Sequence, residues 1–415
     1  MSITHYPHVC YVENNIIGSQ NSTAYDAFGR LRVSNPLTIF DSKNIMSKNN
    51  LFDEQLINFG SINYTSNNST VNLNVTTASG DKVVRQSKRV MSYQPGKSLL
   101  NLNTFVFNTQ TNNLEQRVGM FDTNNGIFLE DTGSNYQIVR RTYTSGTPVD
   151  NEVLQSNWNG DKLDGTGASG YDLNFDRPTI MFMDFEWLGM GAVRVGFVVD
   201  GKFIVAHTFY NANNPLVDTV YMQTANLPIR YEIETVGAIG SAATLQQVCS
   251  TVMIEGGYSP EGLQSAVGTS TINTAVTLST ANTWYNMVTL KIKSGRPYAV
   301  IVPAGLDVLN IANADFEYGL FVNATPGSAF SYTSYSDNVE YDLQMTNLSS
   351  TGTRIAGGYL GGKTAPATFG DGRIPFSFQL GQTINGVSDT LTLGLRCASN
   401  SSKAAGLLRW YDLTW

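Results

Sequence analysis

The sequence predicts an all-β protein, with two antiparallel β-sandwich, jelly-roll-like domains behind an extended N-terminal arm. Three observations carry this. Charged residues make up only 14% of the 415, while aromatic residues reach 11% and glycine occurs 38 times. Val, Thr, Tyr and Phe suit strands, Asn, Ser and Gly suit turns, and the helix formers Glu and Lys are scarce. Apolar segments also recur about every ten residues with turn chemistry between them, which is the spacing of a sandwich or barrel; a parallel α/β fold would need intervening helices. Finally, the length exceeds that at which one core usually stops growing, so two domains are expected.

Residues 1–41 read as the arm, because they sustain no period. Its most informative part runs from Ser22 to Ser34, where Tyr25, Phe28, Leu31 and Val33 alternate with polar neighbours. Such a segment packs on another surface, with Tyr25, Phe28, Arg30 and Leu31 as candidate assembly contacts, or forms an N-terminal strand of its own domain. Residues 42–258 form the larger sandwich. Strand candidates run from Ile57 to Tyr64, Val71 to Thr76, Lys82 to Tyr93, Ser98 to Phe107, Val118 to Asp122, Gly126 to Glu130 and Tyr136 to Tyr143. Leu216 to Tyr221, Ile229 to Glu234 and Gln246 to Glu255 follow the central hairpin. Gly256–Gly262 and the Ser/Thr-rich passage after it mark a linker over 259–283. The C-terminal sandwich, 284–415, carries strand candidates that include Trp284 to Lys293, Tyr298 to Val302, Leu306 to Ile311, Phe316 to Val322, Thr390 to Leu395 and Leu408 to Trp415.

Ile180 to Tyr210 is the clearest stretch. Met181, Met183, Phe185 and Trp187 alternate with Phe182, Asp184 and Glu186, the period of two that sends side chains to opposite sheet faces. After Leu188–Gly191, Val193, Val195, Phe197 and Val199 lead into Asp200-Gly201, and Phe203, Val205, His207 and Phe209 follow. This is a β-hairpin signature. A two-residue loop sets Phe197 opposite Ile204 and spreads apolar residues over both faces. A three-residue loop sets Phe197 opposite Phe203, gathers one apolar face, and is the register the pattern favours.

The charge balance, 26 basic against 33 acidic residues, gives a net −7. That argues against a nucleic-acid partner, which needs clustered Lys and Arg. Cys10, Cys249 and Cys397 are odd in number and far apart, so they describe neither a disulfide framework nor a zinc site. The sequence shows no signal peptide and no apolar run of membrane-spanning length. Synthesis in a cytoplasm, without membrane insertion, is expected.

Motifs for chemistry are few. Gly165-Thr-Gly167-Ala-Ser-Gly170 matches a dinucleotide fingerprint in letters, but no strand precedes it and no helix follows to hold a pyrophosphate. Asp161, Asp164, Asp172 and Asp176 surround the same loop without the spacing of a calcium loop. His5, His8 and Cys10 lack a fourth metal ligand. With three histidines and no G-x-S-x-G or H-E-x-x-H, hydrolytic triads and zinc peptidase sites lack parts. Asp184 and Glu186 share a strand face and are the candidate carboxylate pair, against the plainer reading of a solvated exposed face. No catalytic, cofactor or metal residue is therefore expected.

Ser22–Ser34, Asp161–Gly170, Asp184-Phe-Glu-Trp-Leu-Gly189 and Ser388–Leu393 resemble a group of large structural proteins of tailed bacteriophages. Separately, Val193–Gly201 is similar to the central hairpin of concanavalin-type jelly rolls. The first resemblance implies a non-enzymatic virion protein of capsid or tail, assembled with copies of itself and with other virion proteins. A receptor- or glycan-binding tail component, meeting a host surface glycan, is the alternative, and a polysaccharide depolymerase a third.

Overall fold

The computed structural model describes residues 25–27, 30–215, 217–257, 262, 264–269, 275–362, 367–369 and 378–414. The chain divides between Tyr258 and Ser259 into two compact units. Among the described residues there is no α-helix, every strand pairing is antiparallel, and no helix is long and apolar enough to cross a membrane.

The first unit packs two sheets face to face. One runs, in spatial order, Lys202–Phe209, Val193–Val199, Thr179–Phe185, Leu99–Val106, Ala243–Ile254, Thr70–Val75 and Ser61–Thr65; Leu37–Lys43 pairs with the second half of Ala243–Ile254. The other runs Val149–Leu154, Tyr136–Thr142, Gly126–Asp131, Leu114–Phe121, Ile229–Thr235, Lys82–Ser87 and Phe52–Ile57. Between them lies a core to which the first sheet gives Met181, Met183, Val195 and Phe197, and the second Val118, Met120, Ile138 and Ile233. Residues at every other position supply it, as the pleat requires.

The hairpin register corrects the sequence reading. Phe197 stands opposite Ile204 and Val199 opposite Lys202, so the loop is the two-residue Asp200-Gly201. Both residues have positive φ, 49° and 72°, as a type I′ turn demands. The expectation failed because it assumed one dominant buried face. The sheet carries apolar residues on both sides: Phe197 joins the inter-sheet core, while the exposed Phe203 meets the buried Phe182 edge-on at 5.1 Å on the opposite face. A bulge between Val195 and Gly196 shifts the register midway, and a Cβ on Gly196 would lie 2.7 Å from the Phe182 ring.

The second unit also has two principal sheets. In one, Ser402–Asp412 is central, flanked by Ile301–Asn310 on one side and by Gln264–Gly268 and Val276–Leu278 on the other. The second sheet runs Thr333–Ser334, Val339–Asp342, Tyr285–Ile292, Thr390–Cys397, Phe316–Val322 and Thr353–Leu360. Met287, Leu290, Leu306, Leu393, Leu408 and Trp410 fill the core.

Four further readings change. Gln264–Gly268 and Val276–Leu278 are sheet strands inside the stretch read as a linker; their Ser, Thr and Gly content hid the pairing. Leu37–Lys43 is a strand where the arm was read to continue to residue 41. Tyr298–Val302 and Leu306–Ile311, read as two strands, are served by one, Ile301–Asn310, which absorbs Pro303 at a bulge. Among the described residues of 216–221 no strand forms.

Candidate functional site

Asp184 and Glu186 project from the face of the Thr179–Phe185 strand that points away from the inter-sheet core, yet neither is solvated. Both are 0% exposed. Asp184 Oδ1 accepts from Arg32 Nη2 and Ser98 Oγ, each at 2.5 Å, and Oδ2 accepts from Arg194, which stands directly across the strand pair. Arg30 donates to Glu186 Oε1 and, at 2.5 Å, to Asp26 Oδ2. Arg32 also pairs with Glu255, and Arg194 donates to the Tyr25 carbonyl. The segment is itself folded back: the Asp26 N–H donates to the Arg30 carbonyl at 2.8 Å, and the Arg30 N–H returns to Asp26 Oδ1 at 2.8 Å. The exposed carboxylate face expected from the alternation is thus a covered ionic cluster, because residues from the N-terminal segment supply its cations.

Electrostatics in the cluster are uneven. Burial, with the Asp26 carboxyl beside it, pushes Glu186 up to about 7 in spite of Arg30. Its Oε2 is buried without a hydrogen-bond partner. Burial also works against Asp26, but the Arg30 backbone N–H and guanidinium hold it below the usual carboxylate range. A carboxyl kept neutral beside an ionised one is the arrangement expected where two acids share a low-dielectric site.

The glycine-rich loop proves to be a turn closed on Asp161. That carboxylate accepts from the Leu163 and Ser169 N–H groups, at 2.9 and 2.6 Å, and a Cβ on Gly167 would overlap it. Asp164 accepts from Thr166. Among the described residues no group of three His, Cys, Asp or Glu side chains is placed to hold a metal. His5, His8 and Cys10 lie outside the described residues.

Sequence reasoning missed a cleft of about 250 Å³ at one margin of the sandwich, where the edge strands Val149–Leu154 and Lys202–Phe209 lie. Arg140, Asn151, Asn159, His207, Tyr210 and Asn214 are among its lining residues, and none of the lining residues is acidic. Arg140 follows Ile138 on the core-facing side of its strand, so the alternation that buries Ile138 carries a guanidinium inward. It lies 5.4 Å from the Phe209 ring centre and 5.9 Å from that of Tyr221. Asn159 is fixed to the neighbouring strand: its Oδ1 accepts from the Thr208 N–H at 2.8 Å and its Nδ2 donates to the Thr208 carbonyl at 2.8 Å. His207 lies on the edge strand Lys202–Phe209. Its Nδ1 accepts from the Asn159 N–H at 3.3 Å, and burial pushes its pKa down to about 4. The ring is therefore neutral near pH 7, with its proton on Nε2.

The candidate assembly residues fall unevenly. Tyr25 is half-buried, Leu31 is 55% exposed, and Phe28 lies outside the described residues. Arg30 is engaged within the chain, by Asp26 and Glu186.

No protein-family model matches the chain, and no curated protein matches it. Among solved structures, a legume lectin-like domain from Entamoeba histolytica is similar over 52% of this chain and 97% of its own, at 11% identity and a TM-score of 0.30. Arcelin-5, a lectin-like defense protein from Phaseolus vulgaris, is similar over 53% and 98%, at 10% identity and 0.32. A GH16 structure from Bacteroides ovatus, in complex with a product, is similar over 52% and 99%, at 10% identity and 0.33. Likeness at this level assigns no activity to this chain. The all-β architecture rests on the strand pairing itself.

Proposed function

We propose that this protein is a non-enzymatic structural component of a bacteriophage particle, built into capsid or tail by association with its own copies and with other virion proteins. The observation that carries the reading is the covered cluster. Two of the strings behind the phage resemblance, Ser22–Ser34 and Asp184–Gly189, meet in space through the Arg30–Glu186 and Arg32–Asp184 pairs. The one carboxylate pair that a depolymerase reading would use is thereby committed to holding the chain together. General acid–base work on a glycosidic bond needs such a pair open to substrate and water. On this reading the protein needs no cofactor, is made in a host cytoplasm and resides in the virion. Mass spectrometry and reconstruction of purified particles test it directly, with light scattering of the isolated chain beside them. A particle without this chain, or turnover of a capsular polysaccharide lost on Asp184→Asn, would overturn it.

A receptor- or glycan-binding role is the second reading, and the cleft beside His207 is what favours it. Amides, an aromatic ring and a cation converge there on a concavity at the sheet margin, the usual make-up of a small-ligand site.

A further inference from the structure

The geometry points to the cleft between Arg140 and Tyr210 as a binding site for a small carboxylate-bearing sugar, of the hexuronic acid class. This deepens the glycan-binding reading and rests on it, adding the charge of the sugar.

Arg140 decides the charge. Burial holds its guanidinium below the ordinary arginine range, and among the described residues no carboxylate comes within ion-pair distance of it. Among the described residues its one hydrogen bond goes to Asn211 Oδ1, and Nε is buried with no acceptor. A guanidinium carries five N–H donors in a planar fork that fits a carboxylate through two parallel bonds. A partly buried cation without a counter-charge is costly, and an anion entering the cleft would relieve that cost. This occurs in a chain of net charge −7, so the cationic cleft stands against the charge of the whole molecule.

The remaining lining groups decide that the anion is a sugar. The neutral His207 offers Nε2–H as a donor, and Asn151 and Asn159 bring amides that can donate to and accept from hydroxyls. Tyr210 is 52% exposed at the rim, where its ring can lie against the C–H face of a pyranose. The volume, about 250 Å³, lies just below the usual range of roughly 300–1,000 Å³ for ligand pockets, which suits a single ring.

Calorimetric titration of the full chain with glucuronic acid, glucose and inorganic phosphate tests the assignment. Glucuronic acid should bind about tenfold or more tightly than either of the others. Arg140→Gln should abolish that preference, Arg140→Lys should weaken it by removing the fork while keeping the charge, and Tyr210→Ala should weaken both sugars. Tyr210→Ala lies at the exposed rim, so it remains informative if the Arg140 variants do not fold. Glucose binding as well as glucuronic acid would overturn the charge assignment while leaving glycan binding intact. Phosphate binding as well as glucuronic acid would overturn the sugar assignment. Failure of both sugars to bind at millimolar concentration would overturn the inference together with the reading beneath it.

Discussion

Two buried arginine environments in the first unit are built in opposite ways. In the cluster over Asp184 and Glu186, Arg30, Arg32 and Arg194 each meet a carboxylate, two of these arginines arriving from the N-terminal segment and the third from the neighbouring strand. In the cleft beside His207, Arg140 meets, among the described residues, two aromatic rings and one amide but no acid. The first environment is electrostatically closed and reads as fabric, whereas the second is open and reads as a receptor. Both lie on sheets whose sequences alternate in the same manner, so alternation alone does not distinguish them. What distinguishes them is whether a counter-charge arrives from elsewhere in the chain.

The largest expected effect separates the two sites by stability. Asp184→Ala removes the buried carboxylate that Arg32, Arg194 and Ser98 share, leaving Arg32 with Glu255 and Arg194 with the Tyr25 carbonyl, and should cost about 3–5 kcal/mol in chemical denaturation. Arg140→Met keeps most of the stem and loses only ring contacts and one hydrogen bond, so its cost should stay within about 1–2 kcal/mol. Equal costs would break the comparison.

The next effect is pH dependence. Glu186, raised from 4.5 to about 7, binds its proton more tightly in the folded state, so its contribution to stability is full below about 4.5 and is lost as pH rises through about 7. Thermal unfolding should therefore show the first unit weakening across that window. Glu186→Gln, which cannot ionise, should flatten the slope, and an unchanged slope would remove Glu186 as its source.

The smallest effect belongs to Arg30, whose side chain is 53% exposed. Arg30→Ala should change global stability by about 1 kcal/mol, because the guanidinium end of its pairs is half-exposed although Asp26 and Glu186 are buried. Limited proteolysis near Asp26–Arg32 should nevertheless quicken, since the ties to Asp26 and Glu186 are gone. A protease pattern identical to that of the parent would show that Arg32 and backbone contacts suffice.

Strand composition, the period of two and the Asp-Gly turn were legible before the structure, because each depends on residues close together in sequence. The register of the hairpin was not, since it depends on Phe182 and Phe203 meeting each other on the second face. The fate of Asp184 and Glu186 was hidden for the same reason: Arg194 is local, but Arg32 and Arg30 lie more than 150 residues away, at separations of 152 and 156. The cleft left a weaker trace. An arginine following Ile138 on the inward side of a strand is a local break in pattern, and it is the one sequence signal that could have led to the site.

The pairing of Ala243–Ile254 and Ser402–Asp412 bears on how the protein is made. Each is the last described strand of its unit in chain order and bonds to three earlier strands: Leu37–Lys43, Thr70–Val75 and Leu99–Val106 in one unit, and Gln264–Gly268, Val276–Leu278 and Ile301–Asn310 in the other. A ribosome therefore releases the partners well before the strand that joins them. Until it emerges, the nascent chain carries open sheet edges, and closure waits on contacts of high sequence separation, which form slowly. Each unit is keyed shut by its final piece, so a message cut short upstream of that piece yields unpaired edges in place of a smaller sandwich.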